Sequence, residues 1–140
     1  MDINLDIKQL IPQRSPIMMV DELLSVNGQE AKCCLTVRQD NFFIEPDQKL
    51  AEPGLIEHIA QSASAFAGYN ALQNGATQPP VGYIGEVKKF HLHRRPSIGE
   101  KIVTTITMGA EVDGITIITG ESYVDDQLVA GTTMKIFVKE

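Results

Sequence analysis

The 140-residue sequence predicts an α+β fold in which an antiparallel β-sheet wraps around one long central helix, with a short helix ahead of it. Three observations support this. From Leu55 to Leu72 almost every turn is Ala, Ser, Gly, Ile or Phe. A surface helix would show a polar face at a period of ~3.6 residues, so this one is enclosed on most sides. The second half of the chain consists of Thr- and Ile-rich runs that alternate in polarity, as antiparallel strands with one buried face do. Lastly, the order of short helix, two strands, long helix and several long strands is satisfied by a sheet closing round a single helix.

Taken in order, Ile3, Ile7, Leu10 and Ile11 recur at helical spacing until Pro12 stops the pattern, which delivers Gln13, Arg14 and Ser15 into a loop. Met18 to Val26 and Glu30 to Val37 read as a hairpin around Asn27-Gly28, a dipeptide suited to a tight left-handed turn. A loop from Asp40 to Glu52 leads into the long helix, which Glu52, Pro53 and Gly54 start and Asn74-Gly75 ends. After Pro79-Pro80, strands are predicted over Val81 to His93, Lys101 to Ala110, and Ile115 to Val138 folded back at Asp125-Asp126. The whole chain, residues 1–140, is expected to form one domain, large enough to bury a core without staples.

Composition narrows the function. Twelve Lys and Arg against 18 Asp and Glu give a net charge of −6, which argues against a nucleic-acid footprint. Cys33 and Cys34 are adjacent in a strand, so they point to opposite faces, one core and one surface, and offer neither a disulfide framework nor a metal-ligand spacing. The acidic start MDINLDIKQL lacks a basic n-region and no apolar run approaches the ~18 residues of a membrane span, so a cytoplasmic protein is expected. No phosphate cradle, zinc spacing or Ser-His-Asp pattern is present, and no metal or nucleotide cofactor is implied.

Glu57 stands out because it is a carboxylate inside an otherwise apolar, small-residue helix. It and His58 are expected to border an enclosed site; the alternative is a partly exposed Glu complementing the helix dipole. Lys88, Lys89, Arg94 and Arg95 place four of the 12 basic residues within eight positions. They offer either a docking patch for an acidic partner or a charged edge strand guarded against aggregation. His91 and His93 share one face of that strand; they could reach a site only if that face lines it, and otherwise belong to the same basic surface.

Five stretches stand in order along nearly the full length of the chain: Leu10-Ile11-Pro12-Gln13-Arg14-Ser15-Pro16-Ile17-Met18-Met19-Val20-Asp21; Asn41-Phe42-Phe43; Pro53-Gly54 followed by Glu57 and Ala60-Gln61; Gly85 to Pro96 with Gly99-Glu100; and Tyr123 to Ala130. Together they resemble the 3-hydroxyacyl-acyl carrier protein dehydratases of the hotdog fold. The family's catalytic histidine follows the first proline, where this chain has Gln13, and the family's Gly-His-Phe-Pro-Gly segment is replaced by Ile44-Glu45-Pro46-Asp47. The chain looks closer to a divergent branch associated with aryl polyene and related pigment lipids.

Dehydrating a 3-hydroxyacyl thioester needs a base for the proton next to the carbonyl, an acid for the departing hydroxyl and donors for the enolate-like oxygen. The resemblance implies that a histidine and a glutamate divide the proton work, one from each subunit of a dimer, and that Glu57 keeps the glutamate's role. Gln13 occupies the histidine's place and can orient but not exchange a proton near neutral pH. Gly54 and Leu55 at the helix start, with His58 and Gln61, are the expected substrate-binding residues, the first two through backbone N–H groups and the helix dipole. His58 is the nearest candidate in sequence for the missing proton-handling group, but it lies ~100° round the helix from Glu57 and does not face it; the alternative is a packed or partly exposed histidine. Lys88, Lys89, Arg94 and Arg95 would dock the acidic carrier.

The expected partners are therefore acyl carrier protein or a CoA thioester, and a second hotdog subunit, identical or related. Two other activities fit the same residues. One is a hotdog thioesterase working through Glu57 with Gln13 nearby. The other is a silent subunit that donates Glu57 to a heterodimer whose partner donates the histidine.

Overall fold

The computed structural model describes residues 5–77 and 81–139. A three-residue 3₁₀ turn (Ile7–Gln9) is followed by β1 (Glu22–Asn27), β2 (Glu30–Thr36), the helix α1 (Glu52–Gln73), and strands β3 (Val81–Leu92), β4 (Lys101–Val112), β5 (Ile115–Val124) and β6 (Gln127–Lys139). The six strands form one antiparallel sheet in the order β1-β2-β4-β5-β6-β3, and α1 packs against its inner face. This is the hotdog arrangement. No helix among the described residues is long and apolar enough to cross a membrane.

Enclosure of α1 accounts for its composition. Pro53 sits in its first turn, and its buried residues run from Gly54 and Leu55 through His58 to Ser62 and on to Phe66 and Gly68, leaving no continuous polar stripe. Leu55 belongs to one core cluster with Leu50, Ile102 and Val124; Ile59 and Phe66 belong to the other with Ile106, Ile118 and Met134. Strand alternation supplies these partners: Ile102, Thr104 and Ile106 of β4 face the helix, as do Ile118, Gly120, Ser122 and Val124 of β5. Two polar residues, Thr104 and Ser122, thus point into the core. The Asp125-Asp126 reversal is as predicted, with both residues at positive φ (50° and 64°).

The N-terminal third departs from the prediction. The described part of the expected opening helix is only the 3₁₀ turn, capped by Asp6, while Ile3 lies outside the described residues, as do Pro79-Pro80. β1 begins at Glu22 rather than Met18, because the backbone of Ile17 and Met19 bonds to side chains of α1 instead of to the sheet. One of the two cysteines was expected at the surface, but both are buried; Glu22 on β1 and Val103 on β4 lie directly across from Cys34.

The segment from Leu10 to Met19 runs back along α1, Leu10 lying against Gly68 and Met19 against Gln61 and His58. A Cβ on Gly68 would overlap the Leu10 carbonyl, which is backbone and has little room to yield. Gly68→Ala should therefore destabilise the fold by about 3 kcal/mol. Urea unfolding measures this, and an unchanged midpoint would show that the close approach is not required.

Candidate active site

Glu57 is half-buried in the second turn of α1. Its Oε2 accepts a 2.7 Å hydrogen bond from Nε2 of Gln61, one turn on along the same face. Gln61 is fully buried, and two backbone groups set its amide orientation. Its Nε2 also donates to Ile17 O at 2.8 Å, and its Oε1 accepts from Met19 N–H at 2.6 Å. Flipping the amide would set donor against donor and acceptor against acceptor, so only one orientation is satisfied. One carboxylate oxygen, Oε2, is thereby tied, and among the described residues Oε1 has no hydrogen-bond partner.

His58 is buried beside this group and faces the core. Nδ1 lies 2.7 Å from Met19 O and Nε2 lies 2.8 Å from Thr104 Oγ1, which in turn is 2.7 Å from Ser122 Oγ. Burial pushes the imidazole pKa down to about 4, against the opposing effects of the Met19 carbonyl and of Asp21. His58 is therefore neutral at pH 7. The described residues bring Glu57 together with Gln61 and the Ile17–Met19 segment, while the His58 ring bonds to Met19, Thr104 and no carboxylate.

Gln13 sits in the loop that Arg14 braces through Ile11 O and Gln13 O (2.8 Å each) and Lys8 O (2.9 Å). Among the described residues its side-chain Oε1 is buried without a hydrogen-bond partner, an arrangement that costs about 1–3 kcal/mol. Among the described residues no hydrogen bond joins Gln13 to Glu57. At the helix start, the N–H groups of Gly54 and Leu55 close on Ala51 O at 2.9 and 3.3 Å, and Leu55 is fully buried. Gly54 is small because Phe43 packs on it: a Cβ there would lie 2.7 Å from Phe43 Cβ.

The basic residues after β3's midpoint do not form one cationic face. Arg94 makes a two-pronged pair with Glu100 (2.8 and 3.0 Å), Arg95 pairs with Glu45 (3.0 Å) and Asp47, and Lys88 lies 3.9 Å from Glu86. Lys89, His91 and His93 are exposed, Lys89 at a bulge with φ 51°. A groove of about 660 Å³ opens on the far side of the sheet, lined by Glu30, Lys32, Lys101, Thr105, Glu121 and Tyr123. These residues alternate away from α1, so it is not the place where Glu57 meets a ligand.

Sequence reasoning did not single out Met19, Thr104 or Ser122. Thr104 carried a usable signal, since it falls between Ile102 and Ile106 on the inward face of an alternating strand.

The profile of the ApeP-like family, described as ApeP dehydratase, matches residues 5–140. The 3-hydroxyacyl-[acyl-carrier-protein] dehydratase FabZ of Wolinella succinogenes is 26% identical over 141 residues, covering 96% of this chain and 93% of that protein. FabZ of Natranaerobius thermophilus is 29% identical over 133 residues, covering 92% and 91%. Among solved structures, a chain of the dehydratase heterocomplex ApeI:P from Xenorhabdus doucetiae superposes with a TM-score of 0.91 at 14% identity, covering 99% of this chain and 93% of that one.

Proposed function

Because the chain belongs to the ApeP-like dehydratase family, we propose that it provides the glutamate half of an active site that removes water from 3-hydroxyacyl thioesters in lipid-type biosynthesis. The observation behind this reading is the Glu57 carboxylate, half-buried in an apolar helix with Oε2 held by Gln61. Oε1 is the oxygen available to exchange a proton with the substrate. Elimination transfers the proton next to the carbonyl to a base and hands a proton to the C3 hydroxyl, which leaves as water. One carboxylate can serve one of these transfers at a time.

The second proton-handling group is the difficulty, since Gln13 stands where the family's histidine would be and an amide does not titrate near neutrality. An isologous homodimer would repeat Gln13 in both sites. A heterodimer with a histidine-bearing hotdog subunit pairs that histidine with Glu57 and completes one site. The ApeI:P complex, itself a dehydratase heterocomplex, supports a two-chain arrangement. If the thioester arrives on acyl carrier protein rather than CoA, the exposed Lys89 is better placed to meet it than Lys88, Arg94 and Arg95, which lie against carboxylates of their own chain.

The purified chain alone should dehydrate a 3-hydroxyacyl thioester slowly, and Gln13→His should raise the rate by roughly 10²-fold, the lower end of what a positioned acid or base contributes. Absorbance of the enoyl product measures this. No gain from the substitution would count against an inherited histidine position. Release of free thiol that disappears in Glu57→Ala would favour the thioesterase instead.

A further inference from the structure

Hydrogen-bond directions around His58 follow from one fact: a backbone carbonyl can only accept. Met19 O therefore receives a proton from Nδ1, at 2.7 Å. In the neutral ring Nε2 is then bare, so it accepts from the Thr104 hydroxyl at 2.8 Å, and Thr104 Oγ1 accepts from Ser122 at 2.7 Å. The other backbone group of the same residue, Met19 N–H, goes to Gln61 Oε1 at 2.6 Å. Two α1 side chains thus grip both polar groups of Met19. One of them, Gln61, carries the Glu57 carboxylate on its remaining N–H.

We propose that His58 is a positioning residue: as the Nδ1–H tautomer it clamps Met19 to α1, and through Met19 and Gln61 it sets the orientation of the Glu57 carboxylate. The clamp explains why the chain before Glu22 leaves the sheet, since residues 17–19 find their hydrogen bonds on the helix. It also explains the two buried hydroxyls. Thr104 supplies the donor that keeps Nε2 unprotonated, and Ser122 satisfies Thr104. Losing His58 would leave Met19 O unpaired in the core and the Thr104 hydroxyl without its acceptor, and the segment would have to rearrange to satisfy them. Gln61 would then lose the register that aims it at Glu57.

The effect of the clamp on catalysis rests on the dehydratase reading, but its geometry does not. In the full-length chain at pH 7, nitrogen-15 spectra of His58 should report a protonated Nδ1 and a bare Nε2. An Nε2–H tautomer or an imidazolium would overturn the proposal, and this needs no variant. Side-chain amide protons of Gln61 should be protected from exchange. They should stay protected in His58→Asn, whose amide can still donate to Met19 O, and lose at least tenfold protection in His58→Leu. Unchanged protection in a folded His58→Leu would also overturn it. In the complex with a histidine-bearing partner, kcat should fall about tenfold in His58→Leu with KM nearly unchanged and recover in His58→Asn; an equal loss in both variants would overturn the clamp's part in catalysis. Expected spectra in a protein that dehydrates no thioester would remove the functional reading and leave the clamp standing.

Discussion

Glu57→Gln should lower thioester dehydration by roughly 10²–10⁴-fold, the usual cost of losing a positioned acid or base. The substitution is chosen because it changes the proton chemistry and little else. Glutamine has the shape of glutamate, and its carbonyl oxygen can accept the hydrogen bond that Gln61 now donates to Oε2 at 2.7 Å. The side chain is only half-buried, so no cavity opens. Stability should stay within about 0.5 kcal/mol of the parent, as for a substitution that leaves the packing untouched. The rate comparison belongs in an active background, either the chain combined with a histidine-bearing partner or the Gln13→His form. Activity retained to within a few-fold would remove Glu57 from the proton-transfer role. Thioester hydrolysis lost in the same variant, with no dehydration in the parent, would move the assignment to a thioesterase.

Folding stability should decline by about 3 kcal/mol as the pH is lowered from 7 to 4, owing to His58 alone. Burial holds this ring's pKa at about 4, well below the ~6.5 of an unfolded histidine. Between these values the unfolded chain binds the proton and the folded chain does not. Stability therefore rises with pH across that window: the contribution is complete above about pH 6.5 and is lost as pH falls through about 4. Of the charged groups near the ring, Asp21 favours the protonated form, but burial dominates. The measurement is urea unfolding at half-unit steps of pH, with His58→Asn as the control, because it has nothing to titrate there. The control should show a flatter profile between pH 4 and 6.5, whatever its absolute stability. Glu100, whose carboxyl the Arg94 guanidinium holds below the usual range, contributes equally in parent and control and so cancels in the comparison. Equal slopes in parent and control would show that the ring is not held neutral.

Several features of the fold were legible because they depend on neighbours in sequence. A helix of Ala, Ser, Gly and Ile with no polar stripe has to be covered, and α1 is covered by the sheet. The Asp125-Asp126 turn follows from two residues that tolerate positive φ between alternating strands. Glu57 was visible as a charge out of place in that helix. Less was legible wherever a polar group's partner lies far along the chain. Met18 to Asp21 read as strand, because periodicity cannot say that Gln61 and His58 will take the Met19 backbone. Likewise, the run from Lys88 to Arg95 read as either a docking patch or a guarded edge strand, because Glu45, Asp47 and Glu100 come alongside Arg94 and Arg95 only in the folded chain.

By itself, the sequence determined the order of elements, the enclosure of the central helix, the inward faces of the later strands and the presence of one acid within an apolar stretch. These are consequences of backbone geometry acting over a few residues. Only the tertiary structure decided that Glu57 leans on Gln61, that His58 faces the core as a neutral ring, and that Arg94 and Arg95 are already paired. His58 meets Met19 across 39 positions and Thr104 across 46. A buried polar group takes whichever partner folding delivers, and that choice belongs to the packed chain as a whole.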